Sequence, residues 1–204
     1  MTLKRIIIAT LSFRMANTLI IYAHPKTTGH CSKVLEYVTE RLKGHDYELI
    51  DLYRLNYDPV LYENELYTAG NKEISVQNKN FQEKVKKADK LIFIYPVWWG
   101  SMPAILKGFF DRVFVPGFAF RYSKAGIPKG LLPGKSAAVF ITSGGNRFLY
   151  WLIGNRPVKL IKKDILGFFA IKSKVFLIDN ARKLSKEKES NIKSTVDKGL
   201  RYLY

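Results

Sequence analysis

Ile94-Tyr-Pro-Val-Trp-Trp-Gly-Ser-Met-Pro-Ala-Ile-Leu-Lys-Gly-Phe-Phe-Asp-Arg-Val-Phe114 decides the fold of this chain. An apolar run, Leu91-Ile-Phe-Ile-Tyr95, ends in a proline, two tryptophans and a glycine. Pro103 then leads an amphipathic helix that is expected to run to about Phe114. A strand buried on both faces reads as a continuous apolar run, and its carboxyl end is where open α/β sheets bind ligands. Tryptophans at that end suggest a wall for a flat aromatic ring.

The same alternation extends in both directions. Leu19-Ile-Ile-Tyr-Ala23 reads as the first strand, and Ser32–Leu42 carries Val34, Leu35, Val38 and Leu42 at helical spacing before Gly44. Tyr47–Leu52 is the second strand, Ser136–Thr142 the fourth and Lys174–Ile178 the fifth. Ser185 caps a closing helix to Tyr202, with Glu187 and Glu189 near its positive end. Tyr53–Asn80 is long for a connection and is expected to hold one helix leading into Phe81–Ala88. Strands that alternate with helices predict a three-layer α/β domain. The first crossover lacks GxGxxG, so a flavodoxin-like five-stranded parallel sheet of order 2-1-3-4-5 fits better than a dinucleotide fold.

Composition narrows the class. The 204 residues, 47% of them hydrophobic, suffice for one well-cored domain. No apolar run approaches the roughly 20 residues of a membrane helix. One cysteine, Cys31, precludes an internal disulfide and fits a reducing, cytoplasmic setting. His24, His30 and His45 are not spaced like a metal site, so no metal is expected. The net charge of +17 comes from lysines spread along the chain, with no Arg-rich tail; this reads as solvated surface rather than a nucleic-acid interface.

Residues 1–14 hold three basic residues and no acid around Ile6–Leu11, too short a run for a signal peptide. They read as a non-core N-terminal extension, with Met15 an alternative start and residues 15–204 the domain. A short extra strand and a weak targeting segment are the competing readings. Without the extension the charge is still about +14.

Three loops at the carboxyl edge carry candidate chemistry. His24-Pro-Lys-Thr-Thr-Gly-His-Cys-Ser32 leads into a helix whose N–H groups, with Lys26, suit a phosphate; Thr28 or Ser32 as a plain helix cap is the alternative. It is not a P-loop, because GxxxxGK[ST] is missing. Cys31 has no identifiable partner base and is not expected to be a nucleophile. Backbone amides of Pro96-Val-Trp-Trp-Gly-Ser-Met-Pro103 can face the polar edge of a ring while Trp98 and Trp99 shape the pocket, and the tryptophans can equally serve a core or a subunit contact. In Thr142-Ser143-Gly144-Gly145 two glycines let the backbone approach a ring closely.

These residues resemble the NAD(P)H:quinone oxidoreductase family over nearly all of Asn17–Ile178. The matching parts are His24-Pro and Thr28–Ser32, Asp51–Pro59, Pro96–Phe120 with its Gly117-Phe-Ala-Phe120 tail, and Thr142–Gly145. The resemblance implies an enzyme with noncovalent FMN or FAD, NAD(P)H as hydride donor and a quinone-like acceptor in a ping-pong cycle. It also implies a homodimer with active sites at the interface. The flavin contacts carried over are His24, Thr28, His30, Cys31, Ser32, Pro96, Val97, Trp98, Trp99, Thr142, Ser143, Gly144 and Gly145. Tyr150 falls at the family's catalytic tyrosine, whereas the family's histidine position is Arg156 here. His30 and Cys31 also depart, standing where the family often has Phe and Asn. Some relatives serve as ancillary subunits of potassium–proton antiporters, which makes a membrane-protein partner the second reading. A one-electron carrier is disfavoured by the basic charge.

Overall fold

The computed structural model describes residues 17–66 and 73–204; the extension expected over residues 1–14 lies outside them. Five strands, β1 (Thr18–Tyr22), β2 (Tyr47–Asp51), β3 (Lys90–Pro96), β6 (Ser136–Thr142) and β7 (Lys172–Ile178), form one sheet. Its order is β2-β1-β3-β6-β7 and every neighbouring pair is parallel, as the 2-1-3-4-5 expectation requires. Helices α1 (His30–Arg41), α2 (Val76–Lys87), α3 (Ala104–Val113) and α6 (Lys186–Leu203) cover its faces.

Period-two alternation assigns each side chain to a face. Leu19, Ile21, Leu91, Phe93, Ala137 and Val139 join the core that includes Phe81 and Val85 of α2 and Leu106, Phe109 and Phe110 of α3. Their sequence neighbours Ile20, Ile92, Ile94, Ala138 and Phe140 join Val34 and Val38 of α1 and Ile192 and Val196 of α6. Ser185 Oγ accepts the Lys188 N–H at 3.2 Å, with Glu187 and Glu189 in the first turn of α6, as its sequence suggests.

Several elements differ from expectation. Helix α1 begins at His30 rather than Ser32, because Gly29 and not a hydroxyl residue occupies its N-cap. β7 begins at Lys172, two residues earlier than the expected start at Lys174. A two-stranded antiparallel hairpin, β4 (Phe120–Tyr122) and β5 (Pro128–Gly130), was not apparent from such short polar strands. Between β6 and β7 lie α4 (Arg147–Leu152), α5 (Arg156–Lys159) and a π-helical stretch, Leu160–Gly167.

The long connection after β2 is pinned to α3. Gly108 lets the helix meet the Pro59 backbone: a Cβ there would stand 2.2 Å from the Pro59 carbonyl oxygen. One turn on, Arg112 is ion-paired with Glu65 (Nε to Oε2, 2.8 Å) and Asp58 (Nη1 to Oδ2, 3.2 Å). The Arg112 and Glu65 side chains are only 9% and 10% exposed, so this pair is shielded from solvent screening. Gly108→Ala gains helix propensity but must displace backbone rather than a mobile side chain. We expect a net loss of about 1–3 kcal/mol, read as a lower midpoint in thermal or urea unfolding; an unchanged midpoint would refute the close packing.

Candidate active site

The loops after β1, β3, β6 and β7 converge on a cavity of about 360 Å³ at the carboxyl edge of the sheet. It is lined by His24, Lys26, Thr28, Gly29, His30 and Cys31 from the first loop and helix, and by Pro96, Val97 and Trp98 from the second. Thr142, Ser143 and Gly144 come from the third, and Ala181 and Arg182 from the fourth. Among the described residues no carboxylate lines it. A larger groove of about 930 Å³ lies elsewhere, between α4, β7 and α6. No described residue of the loops after β1 and β3 lines it, so the smaller cavity is the better place for a ligand at the strand switch point. Among the described residues no three His, Cys, Asp or Glu side chains group as metal ligands would.

The first loop is shaped for an anion. Gly29 adopts φ +102° and ψ −165°, a region essentially reserved for glycine, and gives α1 no side-chain cap. The first N–H groups of a helix have no intrahelical partner and carry partial positive charge. Ser32 does not line the cavity; its hydroxyl donates to the Gly29 carbonyl at 2.9 Å. His30 Nε2 is buried without a hydrogen-bond partner among the described residues. Burial first, and the Lys188 charge second, hold the His30 pKa below the ordinary histidine range.

The tryptophan loop is more self-contained than its sequence suggests. Val97 N–H donates to the Thr142 carbonyl at 2.7 Å, while Trp98 and Ser101 exchange both backbone bonds at 2.9 Å. Two of the amides expected to face a ring are therefore already used. Positive φ at Trp99 (+51°) and Gly100 (+73°) makes this a primed tight turn. It turns the Trp99 ring out to solvent, 104% exposed, so Trp99 does not line the cavity and Trp98 does. The His24 ring lies 6.2 Å from Trp98, extending that wall.

The third loop is ordered by its own side chains. Ser143 Oγ accepts the Gly145 N–H at 3.0 Å and donates to the Tyr150 hydroxyl at 2.7 Å, leaving the tyrosine O–H free to donate elsewhere. The space that Gly145 offers is filled by Tyr150, whose Cε2 lies 3.1 Å from where a Cβ would be. Gly145 thus admits the chain's own ring, and of Gly144, Gly145 and Tyr150 only Gly144 lines the cavity. Cys31 Sγ sits 3.1 Å from Thr142 Oγ1 in the cavity floor. Burial pushes its thiol up to about 12, which keeps it protonated and poorly nucleophilic.

Arg156 is exposed at the start of α5 and does not reach the cavity. Sequence reasoning missed the fourth loop. Arg182 Nε donates to the Gly144 carbonyl at 3.1 Å, and Ala181 N–H to the Ser143 carbonyl at 2.7 Å. The available signal was position alone: Asp179–Arg182 follows the last strand at the same sheet edge.

Comparison with known proteins agrees with this geometry. The chain is 36% identical over 159 residues to NAD(P)H dehydrogenase (quinone) 1 of Cavia porcellus, a match that covers 69% of this chain. It spans only 58% of that relative's length, less than two thirds. It is 30% identical over 199 residues to a Clostridium perfringens protein named FMN-dependent NADH:quinone oxidoreductase, covering 91% of this chain and 97% of the other. A Streptococcus mutans crystal structure superposes with a TM-score of 0.81 at 35% identity, covering 91% of this chain and 99% of that one. A family profile described as flavodoxin-like fold matches residues 16–201, and with the parallel sheet order this establishes that the chain belongs to the flavodoxin-like fold family.

Proposed function

We propose that this chain is a flavin-dependent oxidoreductase, passing hydride from NAD(P)H through noncovalent FMN or FAD to a quinone or similar acceptor. Residues 15–204 would act as one flavin-binding domain in the cytoplasm. The observation that carries the reading is the convergence of loops from β1, β3 and β6 on one cavity at the switch point between β1 and β3. The relatives' names support the chemistry, and the Clostridium perfringens name supports FMN. No helix among the described residues is long and apolar enough to cross a membrane. Nothing in the fold or in the relatives' names favours an antiporter subunit.

The residues suit such a cofactor. The uncapped α1 N-terminus and the unpartnered His30 Nε2 offer donors to a phosphate, with Lys26 and Arg182 supplying charge at the same cavity. Pro96, Val97 and Trp98 form one wall and Thr142, Ser143 and Gly144 the other. A bound flavin would supply the two-electron chemistry. The chain's part is to hold donor and acceptor in turn against it, to exclude water with Trp98, and to stabilise developing negative charge with the free Tyr150 O–H. Purification followed by denaturation should release FMN or FAD; a colourless protein that neither flavin reconstitutes would overturn the proposal.

Tyr150→Phe removes the donor and leaves the ring beside Gly145. Stopped-flow mixing with NAD(P)H should show flavin still bound and its reduction slowed by about tenfold or more. An unaltered reduction rate would remove Tyr150 from the mechanism.

The homodimer belongs to the same proposal. Phe148, Leu149, Trp151, Leu152 and Ile153, on and just after α4, are all more than half exposed. A contiguous apolar patch of this kind marks an interaction surface, and here it adjoins Tyr150. Light scattering should give a dimer for the native chain and a monomer for the Trp151→Glu, Leu152→Glu double variant. A double variant that stays dimeric would place the interface elsewhere.

A further inference from the structure

Resting on the flavin reading, we propose that His30 is a protonation-linked ligand for the cofactor's phosphate group, so that flavin affinity rises as pH falls from 8 toward 6.5. His30 opens α1, lines the cavity and is only 9% exposed, yet its Nε2 has no partner among the described residues. A buried polar nitrogen without a partner is costly, and an acceptor placed in the cavity would remove that cost. The uncapped N-terminus of α1 selects an anion for that place.

The surrounding charges favour the same ligand. Lys188 of α6, anchored to the Asp179 carbonyl at 3.3 Å, repels a proton on His30. Lys26 and His24 come from the loop after β1, and Arg182 from the loop after β7, held by its Nε to the Gly144 carbonyl. On α1 itself, Cys31 is a neutral thiol. Among the described residues no carboxylate lines the cavity to offset these lysine and arginine charges.

The direction of the linkage follows. In the ligand-free chain burial and Lys188 disfavour the imidazolium, leaving His30 neutral at neutral pH. A phosphate beside Nε2 neutralises the repulsion from Lys188 and accepts a charge-assisted hydrogen bond, both of which favour the imidazolium. Binding therefore takes up a proton, and affinity falls as pH rises through the histidine's bound-state pKa. Near pH 6 the phosphate monoester of FMN is itself about half protonated, which opposes the trend and sets the lower end of the useful window.

The test is fluorescence titration of flavin-stripped protein with FMN and with riboflavin, which lacks the phosphate, between pH 6.5 and 8. For the native chain the FMN dissociation constant should weaken by up to about tenfold across that range, the limit for one linked proton over 1.5 pH units being only somewhat larger. Riboflavin binding should not change with pH. His30→Phe should bind FMN about tenfold more weakly at pH 6.5 and show a flat profile. His30→Gln, which keeps a donor but cannot titrate, should recover part of the affinity with an equally flat profile. FMN binding that is pH-independent in the native chain, or equally pH-dependent in both variants, would overturn the role of His30 and leave the flavin reading standing. Failure of the native chain to bind either flavin would overturn both.

Discussion

Everything that can bind or react in this chain depends on strands that are buried on both faces and run the same way. Residues 19 and 21 of β1 pack against the α2 and α3 layer, and residues 20 and 22 against the α1 and α6 layer. A parallel sheet cannot be closed by tight hairpins, so each strand must be followed by a crossover. All carboxyl ends therefore point to one edge, where loops are free of the core's packing demands. The helical layers then fix the height of those loops. Gly199 of α6 shows how closely: a Cβ there would stand 2.3 Å from the Phe140 ring of β6.

At that edge the binding loops brace one another. The carbonyls of Ser143, Gly144 and Gly145 each accept a bond from the 180–182 segment: from Ala181 N–H, Arg182 Nε and Asn180 N–H. On the other side, Val97 N–H is tied to the Thr142 carbonyl. Three loops are thus joined by backbone hydrogen bonds before any ligand arrives. A site assembled in this way has little left to reorganise, which is the condition for effective electrostatic stabilisation.

The sheet was legible because a fully buried strand leaves an unbroken apolar run, as in Leu19–Ala23 and Leu91–Tyr95. The loops His24–Cys31, Pro96–Trp98 and Thr142–Gly144 were legible because strand ends predict where they must meet. What stayed hidden was set by backbone angles and tertiary neighbours. Nothing in a Trp-Trp-Gly string announces that Trp99 takes a positive φ and faces water while Trp98 faces the cavity. Gly145 resembles a ligand-facing glycine until Tyr150 is seen to occupy its space. The run Phe148–Ile153 carries the composition of a core element but sits exposed, and composition alone cannot tell a core from a contact surface.

Among the described residues the sheet order leaves β7 at one edge and β2 at the other, and no described strand pairs with the outer side of β7. Its first half reads Lys172-Ser-Lys174, and both lysines are exposed. Two charges alternating along an open strand make the addition of a foreign strand unfavourable, because each must be desolvated or set against the newcomer. The exposed lysines of β7 therefore also guard this edge against aggregation.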